Sequence, residues 1–287
     1  MNKQVCEKFK NLTANLEYDS NNESYKFKDN TDFKVYCTDE NCDNDFDNIS
    51  AGCLYLFNEF FKNSSVFESV AKSNINIVDY IIIWLSYMLN FNRMGEHDSI
   101  EPFYKIYINN DDTDNKYNEK INDVTAYESY KDLIDKKQNL MSIYIKDMPK
   151  FYDAFILLCE MYSELETNSN CDNYLEKAKR FVEKYDELNE DYNNGKGSPY
   201  NQLLSTLSND YYNLKSICND FPSLPTYSRK LIIKRTLIPI SFIFVVVSIF
   251  LGIAYKYSLL GFRKRSQKQC LREKIKNIKK KMTNNIC

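Results

Sequence analysis

The sequence predicts an all-α fold: a cysteine-containing helical ectodomain, one transmembrane helix and a short basic tail. Three observations point there. Apolar side chains recur at steps of three and four residues in one segment after another, the period of a helix with one buried face. Glycine and proline number six each in 287 residues, too few for an architecture of short strands and turns. Finally, Thr236–Tyr255 runs for twenty residues without a charge, Asn or Gln. A helix of that length covers roughly 30 Å, the thickness of a bilayer's hydrocarbon core.

The elements follow in order. Residues 3–16, with Val5, Phe9, Leu12 and Leu16, are a short helix. Residues 19–48 are polar, rich in Asp and Asn, and read as irregular. Ile49 to Phe61 is a compact helix on which Leu54, Phe57 and Phe61 repeat. Ile75 to Phe91 is the most apolar soluble stretch. Its uninterrupted core, Tyr80–Leu85, is too short to be a second span, so it reads as the central core helix, ended by Gly95. Residues 109–120 read as an exposed polar loop. Helical patterns resume near 121–139 and 141–166, the latter with a break expected at Pro149.

The last two ectodomain helices carry the clearest stripes. Tyr174, Ala178, Phe181, Tyr185 and Leu188 step by 4, 3, 4, 3, and Leu204, Leu207, Tyr211, Leu214 and Cys218 by 3, 4, 3, 4. Asn193–Gly197 separates them. Ser198 offers a capping oxygen and Pro199 fits the first helical position. The pair should form an antiparallel hairpin, with Phe221–Ser228 as a stalk toward the membrane.

The domain boundaries are therefore 1–228 for the ectodomain, 229–235 for a basic juxtamembrane stalk, 236–255 for the span and 256–287 for the tail. Leu237, Phe244, Val246, Phe250 and Tyr255 stand for the apolar and interfacial parts of the anchor. Charge divides the same way. Residues 256–287 hold eleven Lys and Arg against Glu273, a net of +10; residues 1–228 hold 23 bases and 39 acids, a net of −16. The densest cluster, Arg263, Lys264, Arg265 and Lys268, marks the cytoplasmic side, since basic residues are retained there. Arg229, Lys230, Lys234 and Arg235 on the other flank oppose that orientation but are fewer. Met1–Ser20 shows no signal-peptide pattern, so the span itself is expected to direct insertion. In the tail, Leu271, Ile275, Ile278 and Met282 step by 4, 3, 4 among lysines. That pattern fits a basic amphipathic helix on an anionic leaflet and fits a solvated charge run equally well.

Chemistry-bearing motifs are sparse. Seven cysteines precede the anchor: Cys6, Cys37, Cys42, Cys53, Cys159, Cys171 and Cys218. In an oxidising compartment they are disulfide candidates, one of which must stay unpaired within the chain, with connectivity open. The spacing Cys37-x4-Cys42 and a lone histidine, His97, do not make a zinc site. Asp43–Asp47 begins like a calcium loop but has Asn48 and Leu54 where Gly and Glu are needed. Gly195-Lys196-Gly197 lacks the upstream glycine of a phosphate loop. Asn11, Asn22, Asn48 and Asn63 sit in N-x-S/T triplets that an Asn-rich chain produces by chance. Ser248-x3-Gly252 could pack against a partner helix. No catalytic, metal or cofactor-binding residues are expected, nor a nucleic-acid or small-molecule partner.

Several segments resemble the Plasmodium interspersed repeat (PIR) family. They are Ser50-Ala-Gly-Cys-Leu-Tyr-Leu-Phe57 after the Cys37/Cys42 pair, Cys171–Tyr185, Ser198–Ser208 and the membrane-exit run Tyr255-Lys-Tyr-Ser-Leu-Leu-Gly-Phe-Arg-Lys-Arg265. The likeness covers nearly the whole chain and is greatest to members from rodent malaria parasites. Leu260 and Cys270 depart from the family's usual Phe and His, which touches the tail only. The resemblance implies a single-pass variant antigen without catalysis, exported to the infected red cell or parasite surface and engaged in immune evasion. Its expected partners are membrane lipid and a host cell-surface receptor. From the residues alone, a membrane-tethered adaptor facing the cytosol is the alternative, and an enzyme a more distant one.

Overall fold

The computed structural model describes residues 1–19, 24–28, 31–37, 40–91, 99–165, 170–192, 198–225, 249–251, 253, 255 and 264–280. The chain divides into two units, Met1–Thr226 and Tyr227–Cys287.

The first unit is mostly helical. Its order is α1 (Lys3–Asn15), β1 (Leu16–Asp19), β2 (Ser24–Phe27), α2 (Thr31–Lys34), α3 (Asp45–Phe61), α4 (Ser64–Ser69), α5 (Ile77–Phe91), α6 (Glu101–Phe103) running into a π turn at Tyr104–Ile108, α7 (Tyr130–Asp135), α8 (Met148–Leu165), α9 (Leu175–Tyr192) and α10 (Pro199–Ile217). Asparagine starts several of these. Asn2 and Asn63 accept from the amides of Val5 and Val66 at 3.0 and 2.8 Å, closing the first turns of α1 and α4.

α5 is buried nearly all round, as an apolar helix must be, and packs against α3 and α8. Trp84 lies against Gly52 of α3, Tyr87 stacks on Tyr152 of α8 at 3.9 Å, and Tyr80 stacks on Phe155 at 4.8 Å. Two polar members of α5, Asp79 and Tyr80, face α10. The Tyr80 hydroxyl donates to Asp210 at 2.6 Å. Asp79, fully buried, pairs with Lys137 at 2.8 Å and accepts from Thr206 and Gln202. Such a pair is satisfied only while every partner is in place.

α9 and α10 form the expected antiparallel hairpin. Tyr192 meets Tyr200 at 4.9 Å near the connection, Phe181 stacks on Tyr211 at 4.8 Å further along, and Cys171 bridges Cys218 at the far end.

The structure corrects the sequence reading in several places. The stretch read as irregular, 19–48, holds a strand: Ser24–Phe27 pairs antiparallel with Leu16–Asp19, Leu16 opposite Phe27, so the first unit is mostly rather than wholly helical. α3 begins at Asp45, four residues early, because Asn44 and Asp47 cap it reciprocally. Residues 121–129 do not join a helix; Tyr130–Asp135 does, and a 3-10 helix follows at Gln138–Ser142. Pro149 starts α8 instead of breaking it, sitting in the first turn where no amide is missed. Ser198 occupies the cap position of α10 without a capping hydrogen bond from its side chain. Phe221 and Leu224 are buried, so the chain from Phe221 to Pro225 packs on the core instead of starting a stalk. Gly95, His97 and residues 193–197 lie outside the described residues.

Among the described residues no helix is long and apolar enough to cross a membrane. Most of the span read at 236–255 lies outside them, including Leu237, Phe244, Val246 and the Ser248/Gly252 pair. Ile249, Phe250, Leu251, Ile253 and Tyr255 are helical and exposed. In the tail, residues 264–280 form one exposed helix, α11.

Candidate interaction surface

The cysteines organise the first unit. Cys6 of α1 bridges Cys159 of α8, Cys37 bridges Cys42, and Cys171 bridges Cys218, with Cα separations of 5.1, 5.1 and 5.6 Å, inside the range a disulfide needs. The unpaired thiol of this unit is Cys53, buried on α3. Burial pushes its pKa up to about 12, although the Tyr117 hydroxyl beside it pulls the other way. A thiol held neutral and away from solvent packs as a small hydrophobe.

The Cys37–Cys42 bridge lies at a loop-rich end of the domain with a groove on either side. One, of about 460 Å³, is lined by Tyr36, Cys37, Asp47, Tyr107, Asp112 and Lys116 among others. The second, of about 280 Å³, lies between the bridge and β2, with Tyr25, Lys34, Glu40 and Asp45 in its wall. The acidic run that imitates a calcium loop builds this end. Asn44 Oδ1 accepts from the amides of Phe46 and Asp47 at 2.8 and 3.0 Å, and Asp45 accepts from the Tyr25 amide at 3.0 Å, tying hairpin to helix. Tyr107, on the π turn, donates to Asp47 at 3.1 Å. Among the described residues no three His, Cys, Asp or Glu side chains gather into a group that could hold a metal ion.

The polar run 109–120 forms the outer wall, but it is fastened down. Asn115 donates to the Ile108 carbonyl at 3.1 Å and to Asn110 Oδ1 at 2.6 Å. Lys116 donates to the carbonyls of Val35 and Cys37, clamping the disulfide loop. Tyr117 is fully buried and donates to the Ser50 carbonyl at 3.1 Å. Tyr36, Tyr107 and Tyr117 all have raised pKa values, chiefly from burial; Glu59 adds to this for Tyr36 and Asp47 for Tyr107, both pushed up to about 12. These hydroxyls are neutral donors at pH 7. Sequence reasoning missed this grouping. Its one visible signal was an aromatic, Tyr117, alone in a run of Asp, Asn and Lys.

The triplet asparagines have structural work. Asn11 donates to the Tyr55 hydroxyl at 2.9 Å, Asn48 is buried and donates to the Asn44 carbonyl, and Asn63 caps α4. Asn22 lies outside the described residues. Of the basic cluster, Lys264, Arg265 and Lys268 stand exposed on α11, while Arg263 lies outside the described residues.

A mostly helical domain stapled by three disulfides, with a polar loop-rich end, defines a cysteine-stabilised helical class of protein. The particular family follows from comparison. The chain belongs to the Plasmodium variant antigen proteins Cir/Yir/Bir, whose family model matches residues 6–256. It is also similar to a solved structure described as a Plasmodium PIR protein ectodomain, at 29% identity and a TM-score of 0.56, covering 79% of this chain and 97% of that one. No curated protein matches the chain.

Proposed function

We propose that this chain is a single-pass membrane antigen at the surface of the parasite or of the infected red cell. Its N-terminal domain faces outward to meet host receptors or antibodies, its tail lies in the cytoplasm, and it carries out no catalysis. The motifs around the membrane exit further support kinship with the rodent-parasite members. The observation that carries the reading is the pairing of six ectodomain cysteines. Disulfides persist in oxidising compartments and are rare in the cytosol, so the pairing favours an outward domain over a cytosolic adaptor. The half-buried Tyr107, its hydroxyl neutral at pH 7 and donating to Asp47, suits a surface that binds through neutral hydroxyls and carboxylates.

Maleimide counting on protein taken from infected cells tests this. In denatured but unreduced chain Cys6, Cys37, Cys42, Cys159, Cys171 and Cys218 should stay unlabelled while Cys53 labels, and reduction should expose all six. Complete labelling before reduction would return the domain to the cytosol and favour the adaptor.

A further inference from the structure

The tail helix has one face that the proposed function does not use. In α11, Leu271, Ile275 and Ile278 are 62, 56 and 55% exposed. At about 100° of rotation per residue they fall within an arc of about 60°. Lys268, Arg272 and Lys279 border that stripe on one side and Lys274 on the other. The helix carries eight Lys and Arg against Glu273, a net of +7.

We infer that α11 docks flat on an anionic lipid bilayer surface, with Leu271, Ile275 and Ile278 sunk at the headgroup boundary and the flanking lysines and arginines on lipid phosphates and carboxylates. The charge selects this occupant. A second copy of the same helix would bring +7 against +7. A nucleic acid would satisfy the cations but leave the apolar stripe in water. An anionic leaflet satisfies both, because long basic side chains reach headgroups while their stems and the aliphatic stripe enter the boundary layer. The inference rests on the reading that the tail follows a membrane span: α11 begins nine residues after Tyr255, close enough in sequence for the two to share one membrane.

The test uses the full chain with Cys270→Ser, Cys287→Ser and Ile275→Cys, labelled with an environment-sensitive fluorophore at the new thiol. The labelled chain is reconstituted in nanodiscs of phosphatidylcholine, or of phosphatidylcholine with phosphatidylserine. Emission should shift to the blue in the phosphatidylserine discs only. The shift should be lost when Lys268, Arg272, Lys274 and Lys279 are all changed to Gln, and also when Leu271 and Ile278 are changed to Ser. No shift in either disc, or equal shifts in both, overturns the inference. So does a shift produced by added RNA and by neither lipid. Chain that fails to enter the discs contradicts the anchor instead. The same protein is then mixed with vesicles of the two compositions, where a shift on the anionic ones alone supports the helix and its absence overturns it.

Discussion

Gly52 is where two helices are allowed to touch. A Cβ built there would stand 2.7 Å from the Trp84 ring and 3.3 Å from Leu12. Alanine gains roughly 1 kcal/mol over glycine inside a helix, but overpacking a tight core costs about 1–3 kcal/mol. Gly52→Ala should therefore cost up to about 2 kcal/mol in urea unfolding of residues 1–226. In a Trp84→Phe background, which removes the touching ring atom, it should be neutral or stabilising. An equal cost in both backgrounds would deny the contact. Trp84→Ala alone, emptying a fully buried site, should cost about 3–5 kcal/mol. Tyrosine titration gives a second residue-scale prediction. Tyr36 and Tyr107 have folded pKa values raised to about 12, above about 10 in the unfolded chain. A raised value stabilises the fold fully below the unfolded pKa and is lost as pH climbs through the folded one. Stability should thus fall between pH 10 and 12, with a midpoint that moves up in Tyr36→Phe and Tyr107→Phe chains. A flat profile across that window would contradict the burial. Trp84's place in the core was legible because its neighbours are uniformly apolar. Gly52 and Tyr117 were not, since close approach and burial inside a polar run depend on what the distant chain brings.

At the scale of elements, legibility followed periodicity. α9 and α10 showed their buried faces because many turns repeat the same step, and Ala178, Phe181, Leu188, Leu204, Leu207 and Leu214 are all buried. The β hairpin was missed although Leu16-Glu17-Tyr18-Asp19 and Ser24-Tyr25-Lys26-Phe27 each alternate. Four residues make a weak pattern, and the surrounding Asp and Asn concealed it. The start of α3 was missed for a related reason: its acidic run resembled a failed metal loop when it was a cap. The disulfides rank by the chain they close. With sequence separations of 153, 47 and 5, the chain-entropy account gives roughly 5, 4 and 2 kcal/mol for Cys6–Cys159, Cys171–Cys218 and Cys37–Cys42. Paired Cys→Ser variants should lose stability in that order by denaturant midpoint. If the Cys37–Cys42 pair proved the most costly, that loop would be holding more of the fold than its length implies.

For the whole molecule, the proposed topology turns on how charge is divided along the chain. The tail beyond Tyr255 carries +10 and the domain before the basic flank −16, with a twenty-residue uncharged run between them. In the proposed topology, insertion bias and anionic inner-leaflet lipids both favour the basic side in the cytoplasm, each nearby Lys or Arg contributing about 1 kcal/mol. Arg229, Lys230, Lys234 and Arg235 pull the other way, four against eleven. Family membership and the ectodomain-like fold agree with an outward domain, and the disulfides would form there. The most direct measurement is protease accessibility of the intact membrane bearing this chain, with one epitope in the loop near Asp112 and another at Lys280. External protease should destroy the first and spare the second until the membrane is permeabilised. Loss of the Lys280 epitope with survival of the Asp112 epitope would place the ectodomain inside, out of reach of any host receptor, and contradict the surface-antigen account.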